Sequence, residues 1–387
     1  MGLVAGDNSA AFSGDGRKAS EANITSASEI PFWKINIGES ESAAVADALR
    51  HNRFSMGPVT AQLEAEIAQA LDVPYVLCTT SGSTALLMAC MAFGVGPGDE
   101  VIVPTRTFIA TAHAPNILGA TVVLADCLEN TPTVDVDAIA RKITPRTKAI
   151  LPVHLNGRPA DMEAIMSLAQ KHNLIVIEDA CQGLFGNHPS MGPMGTIGDC
   201  GCFSFSMVKL VATGQGGAIV TKRKDVYERL FALRNHGVAD VVSHKYLRPG
   251  GNFKFNDLQA SIGFWQVKDR ERKVRHVNQI YRRYVEGLQG LDFLSVLPVD
   301  VDNGGVAIWT EVVSDIRNEL MDWLAERGVQ TRKFTPCCHT APHFSSDDAF
   351  PRSERFDQTG FVLPCGPDMP IELVDQVINI VRKFERA

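Results

Sequence analysis

The sequence predicts an α/β protein: a mainly parallel sheet wrapped by helices, followed by a smaller C-terminal α/β domain. Three observations carry this. Short β-branched apolar runs (EVIVP at 100–104, TVVLA at 121–125, LIVIED at 174–179, GAIVT at 217–221) recur between stretches with helical apolar spacing. Strands alternating with helices at this pitch form parallel pairs joined by crossovers. The length, 387 residues, exceeds what one small core needs and suits two domains.

Residues 1–29 are rich in Ser, Ala, Gly and Asn and read as a flexible arm outside the fold. Two helices are expected over 39–51 and 59–71, separated by the breaker Gly57-Pro58. A strand over 75–78 leads into the turn Thr80-Ser81-Gly82, and Ser83 begins a long apolar helix. Strands over 100–104, 121–125, 149–154 and 174–179 then alternate with helices over 109–118, 135–142 and 161–172. Strands over 202–206 and 217–221 follow, then a helix over 222–235. The loop 236–251 is long enough to suggest function or an interface. One long helical region is expected from Asn256 past Tyr284, its charge run KDRERKVR forming a solvated face. From Phe293 strand and helix alternate again. The large domain is therefore placed at 30–262, and the linking helix with the small domain at 263–387.

The composition is that of a soluble enzyme, 45% hydrophobic and 21% charged. A net charge of −7 argues against a nucleic-acid partner, which needs a basic surface. The nine cysteines are odd in number and several lie in apolar runs, which fits reduced thiols in a cytoplasm. Neither Cys200/Cys202 nor Cys337-Cys338-His339 has structural zinc spacing, so no metal is expected. No apolar run reaches the length of a membrane span, and no signal peptide opens the chain. The expected location is the cytoplasm.

Two residues stand out chemically. Asp179 ends an apolar strand, and Lys209 stands alone between GCFSF and the turn TGQGG. Taken singly, they read as a strand-end acid capping a helix and a lysine on a solvated loop. Taken together, they suit the two ends of pyridoxal 5'-phosphate. A lysine amine forms a Schiff base with the aldehyde, and a buried anion keeps the pyridine nitrogen protonated. The turn before the helix at Ser83 has the form of a phosphate cradle, although an ordinary N-cap serine looks the same. Thr107-Phe108, the stretch 154–157 and Asp179 all fall at strand carboxyl ends, where ligands of such sheets collect.

In order, SGSTALLMA, PGDEVIVP, IEDACQ, GDCGCFSF, Lys209, TGQGGAIVT and GNFKFNDLQASIG resemble the DegT/DnrJ/EryC1/StrS aminotransferases, from about Pro31 to the C-terminal region. The resemblance implies a fold-type-I pyridoxal-phosphate enzyme that aminates keto sugars, mostly nucleotide-linked. It implies that Lys209 bonds the cofactor aldehyde, Asp179 meets the pyridine nitrogen, Gln182 contacts the ring hydroxyl and Phe108 stacks on the ring. It places Gly82, Ser83 and Ser204 at the phosphate. It has Asn252 reach the phosphate from the partner subunit, hence a homodimer with shared sites. The implied substrates are an amino donor, L-glutamate, and a keto sugar.

Three positions depart from the family pattern. Ser206 stands where many relatives carry His or Tyr, Lys254 replaces an arginine, and Gln215 replaces a glutamate. Alternatives within the family are an aminocyclitol aminotransferase, an aminohydroxybenzoate synthase-like enzyme, or a non-catalytic regulatory homologue. Lys209 argues against the branch in which histidine replaces the lysine and the enzyme is a dehydratase. His339 and His343 read equally as pocket edge and as loop residues. Arg332 or Lys333 could meet a substrate anion, and Trp309 and Trp323 read as packing residues.

Overall fold

The computed structural model describes residues 29–238, 245–344 and 348–385. The arm expected at 1–29 lies almost wholly outside the described residues, as does part of the loop expected at 236–251.

The first sheet has seven strands: β1 (Tyr75–Thr79), β2 (Glu100–Pro104), β3 (Thr121–Ala125), β4 (Thr147–Ile150), β5 (Ile175–Asp179), β6 (Cys200–Ser204) and β7 (Gly217–Thr221). Their spatial order is β1-β7-β6-β5-β4-β2-β3. The β3/β2, β2/β4, β4/β5 and β5/β6 pairs are parallel, and β7 runs antiparallel between β1 and β6. The carboxyl ends of β1, β2, β4, β5 and β6 therefore share one edge. Strand β4 ends at Ile150, four residues before the expected end at His154. Ile150 makes its last ladder pair, and Pro152, which has no N–H, lies just beyond. Strand β6 starts two residues earlier than expected, because Cys200 and Gly201 pair with Ile177 and Glu178 despite carrying no β-branched signal.

The helices around this sheet are α1 (Glu39–Arg50), α2 (Pro58–Leu71), α3 (Gly82–Ala92), α4 (Ala110–Ile117), α5 (Val136–Lys142), α6 (Met162–His172), α7 (Lys224–Arg234), α8 (Asp257–Lys268) and α9 (Arg270–Gly287). The single long helix expected from Asn256 is two helices. Asp269 (φ −90°, ψ 9°) ends α8 and begins α9. Helix α3 is apolar on all sides because it is buried between the sheet and α4, α7.

Helix α2 has a glycine N-cap without a side chain to satisfy its first N–H groups. The buried Asp257 carboxylate supplies the acceptors from 197–200 residues away: Gly57 N (2.9 Å), Val59 N (3.2 Å), Thr60 N (2.9 Å) and Thr60 Oγ1 (2.7 Å) all donate to it. Asp257→Ala strands these donors and is expected to cost roughly 2–4 kcal/mol of stability in urea unfolding. A loss under about 0.5 kcal/mol would contradict the capping role.

The second sheet is four-stranded and antiparallel: β8 (Ser295–Val296), β9 (Thr310–Val313), β10 (Arg332–Lys333) and β11 (Gly360–Leu363), in the order β8-β9-β11-β10. It packs with α9, α10 (Arg317–Ala325), α11 (Pro351–Thr359) and α12 (Ile371–Arg382) around Val312, Phe361, Leu363, Val374 and Val377. Residues 338–344 and 348–350 return to the first sheet, where Cys338, Phe344 and Phe350 lie in the core. No helix among the described residues is long and apolar enough to cross a membrane.

Lys273 on α9 is buried, and its Nζ donates to Gln266 Oε1 and, at 3.4 Å, to Leu210 O. Gln266 Nε2 in turn donates to Glu41 Oε1 at 2.5 Å. Burial lowers the amine from 10.5 to about 8, against the attraction of Asp368, Asp269 and Glu41. The unfolded chain therefore holds this proton more tightly than the folded one. The resulting penalty is complete below pH 8 and vanishes as pH rises to 10.5. The stability of the wild type relative to Lys273→Met should thus rise from pH 8 to 10, by at most about 1.4 kcal/mol per pH unit. Unfolding curves at several pH values check this, and a pH-independent difference contradicts it.

Candidate active site

Strand alternation explains the two acids of IEDACQ. Adjacent residues of β5 point to opposite faces. Glu178, fully buried, serves the fold: it accepts from His154 Nε2 (2.8 Å) and from the N–H groups of Gly195 (2.8 Å), Ile197 (2.7 Å) and Gly198 (2.6 Å). His154 Nδ1 accepts from Ala160 N at 3.2 Å, so its proton resides on Nε2. Asp179 faces the other way, toward Lys209. Its Oδ2 accepts from Thr111 Oγ1 at 2.7 Å and its Oδ1 from Cys181 N at 3.1 Å, and the residue is 5% exposed.

Thr111 was missed in the sequence. It sits one turn from Thr107, with the two hydroxyls 3.1 Å apart. The only signal was two threonines four residues apart where the chain enters α4; Thr107 precedes the helix, and the turn brings its hydroxyl to that of Thr111. Phe108, between them, is 52% exposed. In the single chain its ring is available to a ligand and is not covered by the protein.

Lys209 follows β6 through a short turn, its N–H donating to Ser206 O at 3.1 Å. Burial lowers the amine from its ordinary value; the Asp179 carboxylate opposes this, and the Arg332 guanidinium lowers it further. Trp309, expected to serve packing, does pack against the second core, and its ring also lies over the Lys209 amine, 4.8 Å from Nζ to the ring centroid. No local pattern could have shown this, since 100 residues separate the two. Burial, then Asp179, pushes the Cys181 thiol up, so it rests as a neutral neighbour of both charges.

The start of α3 closes the site. Ser81 caps the helix, accepting from Thr84 N at 3.0 Å, so the helix begins at Gly82 and not at Ser83. The first-turn N–H groups of Gly82 and Ser83 have no carbonyl within the helix to bond. A Cβ on Gly82 would lie 2.8 Å from Ser204 Cβ and 2.9 Å from Cys181 Sγ. Only glycine lets the helix end approach β5 and β6 this closely. Gln182, Cys181, Ser204 and Lys209 line one small cavity. Asn252 is not brought there: it is exposed and bridges to Asn235.

The outlying candidates have structural contacts. His339 Nδ1 meets Thr105 Oγ1 at 2.7 Å and its ring stacks on Phe350. His343 Nε2 meets His113 Nε2 at 2.9 Å. Trp323 stays in the second core. Arg332 is exposed on β10, its guanidinium 5.5 Å from the Phe32 ring centroid. The larger cleft at the opposite edge of the sheet is polar, but its charges are already paired: Lys148 with Asp99 and Arg223 with Asp199 across it, and Arg146 with Glu100 behind its wall.

A half-buried lysine amine, a hydrogen-bonded carboxylate and a glycine-started helix thus converge at the carboxyl edge of the sheet. The sequence profile of the DegT/DnrJ/EryC1/StrS aminotransferase family matches residues 35–382. The chain belongs to this family. It is an aminotransferase on the fold-type-I scaffold of these enzymes. It is 33% identical over 366 residues to the dTDP-3-amino-3,4,6-trideoxy-alpha-D-glucose transaminase of Streptomyces venezuelae, covering 92% of this chain and 96% of that one. It is 33% identical over 359 residues to the GDP-perosamine synthase of Escherichia coli O157:H7, covering 92% and 98%. Among solved structures it resembles S. venezuelae DesV in complex with a ketimine intermediate, at TM-score 0.88 and 32% identity, covering 93% and 99%.

Proposed function

We propose that this aminotransferase moves an amino group from an amino acid, L-glutamate, to the ketone of a nucleotide-linked deoxysugar, using pyridoxal 5'-phosphate. The convergence of Lys209 with Asp179 beside the α3 N-terminus carries this reading. The residues fit the cofactor: a half-buried amine for its aldehyde, an anion for its pyridinium, Phe108 for a ring face, and, for its phosphate, a helix N-terminus that Gly82 lets lie against Ser204 and Cys181. Gln182 is assigned to the ring hydroxyl, Ser83 and Ser204 to the phosphate, and Asn252 to the phosphate of a second copy, which makes the enzyme a homodimer. Dimerisation through the site also accounts for the exposure of Phe108 and Asn252. The named relatives act on dTDP- and GDP-linked sugars, which supports a nucleotide-linked acceptor.

When bound, the cofactor supplies an aldehyde for the amine group and an electron-withdrawing ring. The chain's residues do the rest. Lys209 Nζ takes the proton from the donor α-carbon and, in the acceptor half of the reaction, delivers a proton to the carbon that receives the amino group. Its burial lowers its proton affinity, which favours the neutral base. Asp179 holds a negative charge in place through two donors and stabilises positive charge on the facing nitrogen. Trp309 and the apolar side chains of Leu210, Val306 and Ile308 keep water from the amine.

The test is a panel of keto-sugar nucleotides, keto-cyclitols and free keto sugars offered with L-glutamate, with product detected by mass. Amination confined to the nucleotide-linked sugars supports the reading. Amination of the cyclitols alone contradicts it.

A further inference from the structure

Asn156 follows β4, is fully buried, and adopts the left-handed backbone region (φ 53°, ψ 40°). Its side chain makes a reciprocal pair with the main chain of Trp309. Asn156 Nδ2 donates to Trp309 O at 2.7 Å, and Trp309 N donates to Asn156 Oδ1 at 2.7 Å. Its own N–H donates to Gln182 Oε1 at 2.9 Å. Gly157 extends the joint: Val306 N donates to its carbonyl at 3.2 Å, and a Cβ on it would lie 1.8 Å from Val306 O. Arg158 completes it with a buried pair to Glu311 at 2.6 Å.

Both partners of Asn156 lie beside Lys209. The Trp309 ring lies over its Nζ, and Gln182 lines the same cavity. An indole face attracts a cation. The ring therefore favours the charged nitrogen, while burial favours the neutral one. Because the hydrogen bonds go to the Trp309 main chain, they fix where that ring starts, whatever its rotamer. A left-handed non-glycine residue is held in place only by such surroundings.

We propose that Asn156 is a positioning residue that locks Trp309 and Gln182 into one frame around Lys209 and so tunes the charge and reach of the amine. The inference rests on the reading of Lys209 and Gln182 as cofactor residues. A simple strut between the two sheets would need the same hydrogen bonds but would leave the chemistry of Lys209 untouched.

Asn156→Gly separates the two roles. Glycine adopts this backbone freely and keeps the N–H to Gln182, so only the Trp309 pair is lost. In the holoenzyme, borohydride labelling of Lys209 should persist. The pH midpoint of the bound cofactor's absorbance should fall by about half a unit to one unit. The kcat should fall about tenfold while the acceptor KM stays within about threefold. Trp309→Leu, which keeps the main-chain pair and removes the ring, should lower the same midpoint. A lowered melting temperature with an unchanged midpoint and unchanged kcat in Asn156→Gly overturns the proposal, as does an unchanged midpoint in Trp309→Leu. Failure to label Lys209 in the wild type would instead sink the reading of the site itself.

Discussion

Lys209→Ala is expected to abolish covalent attachment of pyridoxal phosphate and to lower turnover by roughly 10⁴-fold or more, since it removes both the anchor and the proton carrier. The fold should survive. The side chain is partly buried, and its contact with Trp309 is with a ring that also packs against Leu210, Val306 and Ile308. Absorbance after incubation with the cofactor and single-turnover amination both report the loss. A variant that keeps the visible band and turns over as the wild type does would remove Lys209 from the chemistry. Cys181 cannot substitute for it, because its thiol is held neutral by burial and by Asp179.

Asp179→Asn is expected to separate attachment from rate. The amide keeps an oxygen that can accept from Thr111 Oγ1, so the local hydrogen bonding of α4 to β5 is largely preserved. The negative charge is gone. Lys209 should still be labelled by borohydride, while kcat falls by about 10²–10³-fold, the usual consequence of removing one preorganised electrostatic partner. A rate within about threefold of wild type would show that the charge is not used. Thr111→Val should have a smaller effect in the same direction, because it removes one donor that orients the carboxylate and leaves the charge.

Much of the first sheet was legible because its strands are short β-branched runs closed by breakers. Those at 100–104, 121–125 and 217–221 fall where expected. Strands whose edges lack that signal drifted: β4 ends at Ile150, and β6 begins at Cys200. The helix expected to run unbroken from Asn256 hid its junction, because Asp269 sits among charges compatible with a continuous helix and its backbone departs from helical only at ψ. At the site, Asp179, Gln182, Ser204 and Lys209 lie on consecutive motifs of one sheet edge, so their chemistry could be read locally. Thr111, Asn156 and Trp309 could not be read that way. Their partners lie 26 to 153 residues away, and threonine, asparagine and tryptophan carry no mark of such contacts in a single sequence.

The central claim is that Lys209 carries the cofactor. Borohydride reduction of the protein saturated with pyridoxal phosphate, followed by peptide mapping, tests it most directly. A single pyridoxyl label on the peptide containing Lys209 is predicted. A label on another lysine, or none, would contradict the account.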